Sequence, residues 1–178
     1  MTKYSSKEIL DAYKKQLDKE KEKLEGKPVT SHVKGRIFKK IIKNSLTKEL
    51  EELGIKPSIE EIPLFKLKMP GYRKRKNAKT NLIINNKILV EVKANGHQYP
   101  KWEDKTEDDK YKSIKEKTEK DKLKYLYITG KEAPKPKKHG HDYRERTIKI
   151  FGKKYTYFLD EEKKDHWNEF VKRVHSIL

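Results

Sequence analysis

Glu91 and Lys93 stand two residues apart in the run Ile88-Leu-Val-Glu-Val-Lys93. Alternation along a strand places both on one face. A carboxylate beside an ammonium on an otherwise apolar strand suits the hydrolysis of a phosphodiester. That reaction uses a divalent metal to polarise the phosphate and to acidify an attacking water. Mg²⁺ takes hard oxygen ligands, commonly one or two carboxylates together with waters and substrate phosphate. Glu91 offers one carboxylate and the backbone carbonyl of Val92 a further oxygen. Lys93 offers a cation that orients the water and offsets charge in the transition state. A second carboxylate is required from the neighbouring strand, and the position that a hairpin brings alongside Glu91 holds Asn81. An ordinary solvated strand face in a charge-rich protein also accounts for the pair. Against that stands the cost of a charge pair on the most apolar strand of the chain.

The elements that must position these residues are legible as periodicities. Residues 5–25 read as a charged helix capped by Ser5 or Ser6 and ended by Gly26-Lys-Pro28. Val33, Ile37, Phe38, Ile41, Ile42 and Leu46 form the buried face of a second helix, with Thr47 capping a short continuation closed by Gly54. Residues 62–68 alternate as a strand. Asn85-Asn86-Lys87 turns one apolar run back on the next, because Asn tolerates positive φ. Residues 103–121 read as an exposed helix and 123–129 as a strand ended by Gly130. Residues 131–146, rich in proline and lysine, read as a mobile basic loop. Residues 147–151 and 154–158 read as a second hairpin about Gly152-Lys153. A final helix from about Asp160 carries Trp167, Phe170, Val171, Val174 and Leu178 on one face. These are the parts of one α/β (α+β) domain over residues 1–178, with a central mixed sheet of about four to six strands flanked by helices. Residues 1–28 form its N-terminal helix, 31–129 its catalytic core and 147–178 its hairpin and C-terminal helix.

Lys and Arg number 46 against 28 Asp and Glu, a formal net charge of +18. Such a surface attracts polyanions, nucleic acid first. Lysine-rich, Asn- and Ile-rich composition also follows from an AT-rich genome, which discounts part of that signal. No apolar run approaches the length of a membrane span, and the N-terminus has no apolar signal core. There is no cysteine, which excludes disulfides and thiolate zinc sites and is compatible with a cytoplasmic location.

Helix, strand, turn, strand with Glu-x-Lys, helix and strand in that order resemble the PD-(D/E)xK nuclease superfamily, and within it a small type II restriction endonuclease. The resemblance covers roughly residues 62–129 with the helix at 31–53 before them. It implies an α-β-β-β-α-β core, Mg²⁺-dependent cleavage of double-stranded DNA, and commonly a homodimer on a palindromic site. By that resemblance Glu91 matches the second acid, Lys93 the lysine, and Asn81 the first acid, in KTN where relatives would read KTD. The chain has no Pro-Asp pair. Some relatives carry a Glu on the preceding helix; Lys39 stands in that region, with Glu49 and Glu52 as weak substitutes. A junction-resolving or repair nuclease of the same fold, and a DNA-binding protein without catalysis, are the alternatives.

Asn81 has three readings. It is structural with the acid elsewhere, it marks a natural non-cleaving relative, or it is an Asp→Asn exchange that lets substrate bind uncut. The last is favoured because the rest of the motif is intact.

DNA contacts are expected at Arg73, Lys74, Arg75, Lys76 and Lys79, which lead into the site and would hold flanking phosphates. His97 and Gln98 lie just past Lys93. Lys137, Lys138, Arg144 and Arg146 belong to the basic loop, where arginine suits bidentate guanine recognition. His139 and His141 read as exposed or phosphate-contacting rather than metal-ligating. Trp167 and Phe170 read as core or dimer packing rather than base-stacking.

Overall fold

The computed structural model describes residues 2–63, 80–95, 101–131 and 143–178; within these, the side chains of residues 62, 63, 80, 81, 101–110 and 143 are not described. The elements are α1 (Ser6–Lys23), α2 (Ser31–Glu52), β1 (Ile59–Pro63), β2 (Thr80–Ile84), β3 (Ile88–Asn95), α3 (Lys101–Lys120), β4 (Lys124–Lys131), α4 (Tyr143–Phe151), β5 (Thr156–Phe158) and α5 (His166–Ile177). One five-stranded sheet runs β1-β2-β3-β4-β5. Its first three strands are antiparallel neighbours, whereas β4 is parallel to both β3 and β5. The fold is α+β, a mixed sheet flanked by helices, as expected. No helix among the described residues is long and apolar enough to cross a membrane.

Two cores lie on the two sides of the sheet. Ile88, Val90, Val92 and Ala94 of β3 join Phe38, Ile42, Leu46 and Leu50 of α2 and Trp167, Phe170, Val171 and Val174 of α5. Leu89, from the opposite side of β3, joins Tyr111 of α3, Tyr125 and Tyr127 of β4, and Ile150 and Phe151 of α4. The first side is mainly aliphatic. The second is built around the Phe151 ring, whose centroid lies 5.3, 4.8 and 5.0 Å from those of Tyr111, Tyr125 and Tyr127.

The Ser5 cap and the Asn85-Asn86 turn form as expected. Ser5 and Glu8 form a reciprocal capping box on α1. Asn85 and Asn86 take φ of 46° and 53°, the paired positive values of a tight hairpin turn, closed by Lys87 N donating to Ile84 O at 2.9 Å. Trp167 and Phe170 are wholly buried, in the core and not on a base-stacking surface.

Several expectations are corrected. Thr47 does not start a new helix: α2 runs through it, and its hydroxyl donates to Lys43 O one turn back. Gly130 does not end β4, which continues to Lys131. The strand expected at 62–68 begins earlier, at Ile59, and residues 64–68 lie outside the described residues. The second hairpin is absent: Tyr143–Phe151 is a helix, and β5 pairs with β4 instead. Thr147, Ile150 and Phe151 are buried at helical spacing, and that burial overrides the alternation of Thr-Ile-Lys-Ile-Phe. Gly152, at φ 93°, then leaves the helix. The loop expected at 131–146 is corrected at both ends, since Lys131 is strand and residues 143–146 are helix; the rest of that expectation, 132–142, lies outside the described residues.

Gly130 has a close-approach role. A Cβ there would lie 2.8 Å from Ala94 O and 3.0 Å from Phe38 Cε2, so its bare Cα is what lets α2 seat on the carboxyl ends of β3 and β4. Gly130→Ala should lower stability by about 1–3 kcal/mol through overpacking. Chemical denaturation checks this, and an unchanged midpoint would refute the close packing.

Candidate active site

The site grows from the pleat of β3. Leu89, Glu91 and Lys93 face the aromatic side, so the solvated-face account of the pair does not hold. Glu91 is 2% exposed, on the same side of β3 as Leu89 and the aromatic core. Its Oε1 is 3.2 Å from Lys93 Nζ. Its Oε2 accepts a hydrogen bond from the Tyr125 hydroxyl at 3.0 Å. Parallel pairing sets Leu89 against Tyr125 and Glu91 against Tyr127, so Tyr125 reaches one step up the sheet to the carboxylate. Lys93 Nζ lies 5.9 Å from the centroid of the Tyr111 ring, within reach of its electron-rich face. The Lys93 side chain keeps 16% of its surface exposed, the more open end of the pair.

Asn81 lies on β2, opposite Ile62 of β1. The β2–β3 ladder runs to Leu82 and Val90, so Asn81 and Glu91 are the next positions on the two strands. The structure thus brings the Asn81 position, Glu91, Val92 and Lys93 to one end of the hairpin.

A second lysine belongs here. Lys39 of α2 directly follows Phe38, the residue seated against Gly130. Partial burial lowers the Lys39 ammonium pKa from its usual range. The charges of Glu61 and Glu91 oppose that shift, and Lys93 adds to it. Lys39 is thus a half-buried cation within electrostatic range of Glu61, Glu91 and Lys93. Glu49 and Glu52 do not join the site. Glu49 accepts hydrogen bonds from Lys3 N, Tyr4 N and Trp167 Nε1, and Glu52 pairs with Lys3.

The other candidates separate. Arg144 and Arg146 lie on α4. Arg144 pairs with Glu161, holding that carboxyl below its usual range, and stacks 4.7 Å from the Phe158 ring centroid. This contact competes with guanine reading. Arg73, Lys74, Arg75, Lys76, Lys79, His97, Gln98, Lys137, Lys138, His139 and His141 lie outside the described residues.

Tyr125 is the site residue that sequence reading missed. Its signal, a tyrosine in the alternating run LKYLYIT, is faint without the parallel register that aims it at Glu91.

Among the described residues no three His, Asp or Glu side chains converge. The donors at hand fit Mg²⁺ in kind, being hard oxygens on neighbouring strands, but they include a single carboxylate. Comparison with protein-family models, curated proteins and solved structures finds no match.

Proposed function

We propose that this chain is a Mg²⁺-dependent, sequence-specific double-stranded DNA endonuclease of the PD-(D/E)xK restriction type, weakened at Asn81, and that it works as a homodimer. The observation that carries this is Glu91, buried at the end of a hairpin with the partly open Lys93 ammonium 3.2 Å away. Burying such a pair costs stability, and a hydrophobic pair would pack as well, so its presence on a central strand calls for a chemical use. The helix, three antiparallel strands, helix and parallel strand around it support the reading.

Glu91, the Val92 carbonyl and the Asn81 position would hold the cation. When bound, it supplies a polarised phosphate and a more acidic water. Lys93 lies beside Glu91, where its ammonium orients the attacking water and offsets charge gathering on the phosphate oxygens. The basic run at 73–79 would hold neighbouring phosphates and set the register of the duplex.

The single carboxylate favours one second reading, a DNA-binding protein that does not cut. Both readings require DNA affinity that falls steeply with salt, with a log–log slope of about −0.9 per phosphate contact. A mobility-shift titration from low to moderate salt measures it, and a flat dependence would remove DNA as the partner. The two readings part on plasmid digestion by Asn81→Asp protein with Mg²⁺, followed by sequencing of the ends. Defined ends support the nuclease, and intact plasmid supports the binder.

A further inference from the structure

α2 carries its charge differently from the other long helices. Between residues 31 and 48 it has six Lys and Arg and no Asp or Glu. α1 mixes six bases with five acids, and α3 seven with seven. A lysine-rich composition alone would spread acids through all three. Arg36, Lys40 and Lys43 stand four and three residues apart, on one face of the helix. Arg36 and Lys40 are exposed and Lys43 half-exposed, whereas Ile37, Phe38, Ile42 and Leu46 turn the other face into the core. Among the described residues none of these three cations pairs with a carboxylate. Lysines of the other helices do: Lys21 pairs with Asp18, Lys23 with Glu20 and Lys117 with Asp121. Like charges one turn apart weaken a helix, and a first turn without an acid leaves the helix dipole unmatched. The stripe thus works against the stability of α2 and calls for a partner of negative charge.

We propose that the outward face of α2 is a docking surface for duplex DNA, with Arg36, Lys40 and Lys43 holding successive phosphates of one strand. Clustered cations neutralise phosphates and release their counterions, whatever the base sequence. Arg36 and Lys43 are seven residues apart, about 10 Å along the helix axis, a length that matches about three phosphates of one strand. Asn44 and Thr47, which share that face, are polar. The large exposed apolar residues among those described, Leu24 and Leu53, cap the C-terminal ends of α1 and α2. A lipid surface would ask for apolar side chains beside the cations, so nucleic acid is the better fit. Phe38, on the buried face between Arg36 and Lys40, is seated against Gly130. Gly130 directly follows Thr129, the partner of Lys93 in the β3–β4 ladder. Lys39 lies within electrostatic range of Glu91 and Lys93. The cations of α2 therefore begin at the end of the sheet that carries the candidate active site.

This surface rests on DNA as the partner proposed above, and a mobility-shift titration separates the two. A short duplex of mixed sequence is titrated without metal at several salt concentrations. The full-length parent is compared with the triple variant Arg36→Gln, Lys40→Gln, Lys43→Gln. A control on α1, Lys14→Gln, Lys15→Gln, Lys19→Gln, loses the same charge from a surface shared with Asp11, Asp18 and Glu22. Circular dichroism verifies that all are folded. The α2 variant is expected to bind at least about tenfold more weakly at low salt, with a log–log salt slope shallower by about two to three, while the control stays near the parent. Lys40→Gln alone is expected to reduce the slope by about one. An α2 variant that binds like the parent, or a control that loses as much, overturns the α2 surface and leaves DNA as the partner. Loss of binding to phosphatidylserine vesicles with duplex binding kept overturns it in favour of a membrane surface. Absence of salt-dependent duplex binding by the parent overturns both.

Discussion

Asn81→Asp should raise Mg²⁺-dependent plasmid cleavage by on the order of 10³-fold, the effect of restoring a few kcal/mol of charge stabilisation in the transition state. The reason is a count of charges. Glu91 contributes one negative charge, and Lys93 lies 3.2 Å from it, so the pair is nearly neutral as a cation sees it. An amide at position 81 preserves the shape of a carboxylate but not its charge, and it is a weaker donor to a hard cation. Continuing the β2–β3 register puts position 81 level with Glu91, so an added carboxylate falls where the two strands would share the proposed cation. The same substitution should slightly weaken DNA binding without metal, because it adds a negative charge close to phosphate. Conversion of supercoiled plasmid to nicked and linear forms measures the first effect. If Asn81→Asp cuts no faster than the unsubstituted chain, the active-site assignment falls.

Glu49→Ala should lower unfolding free energy by about 3 kcal/mol, a large share of what holds a single domain together. Glu49 is 3% exposed. It accepts from Lys3 N at 2.9 Å, from Tyr4 N at 2.9 Å and from Trp167 Nε1 at 3.0 Å. The two backbone donors can turn to water when the carboxylate is lost. The Trp167 indole is fully buried and cannot, so its desolvation is left uncompensated. The nearby Ser6 hydroxyl, which donates to Asp165 and accepts from Trp167 N, limits the damage but does not reach the indole nitrogen. Glu49→Gln should cost less, since one acceptor oxygen survives. Urea titration followed by circular dichroism orders the three proteins. Equal midpoints for Glu49→Ala and the parent would show that the clamp contributes nothing.

What is legible in the sequence divides along a physical line. α5 was legible because four large apolar residues recur at helical spacing, and their burial needs no knowledge of the partner surface. The β2–β3 turn was legible because Asn85 and Asn86 carry their own conformational preference. The site was legible as far as Glu91, Lys93 and position 81, since a hairpin register follows from its turn. α4 was not. Residues 147–151 alternate like a strand, and only the meeting of Phe151 with three tyrosines from α3 and β4 makes a helix the better burial. Tyr125 was not legible for the same reason, because nothing near it in sequence tells which carboxylate it meets. Lys39 is legible only as the occupant of a region, since the seat that Gly130 makes for its neighbour Phe38 is a tertiary contact.

The parallel register between β3 and β4 also orders events in time. Position 81 and Glu91 are brought level by closing a short hairpin, an event on the microsecond scale. Glu91 and Tyr125 are 34 residues apart, and α3 must cross the sheet before they meet. Closing the longer loop costs about 1 kcal/mol more in chain entropy. As the chain folds, the carboxylate therefore comes level with position 81 before the phenol that donates to it arrives. Until β4 docks, Glu91 has its strand neighbour Lys93 at hand but not the Tyr125 hydroxyl, and its surroundings are complete only with the parallel strands.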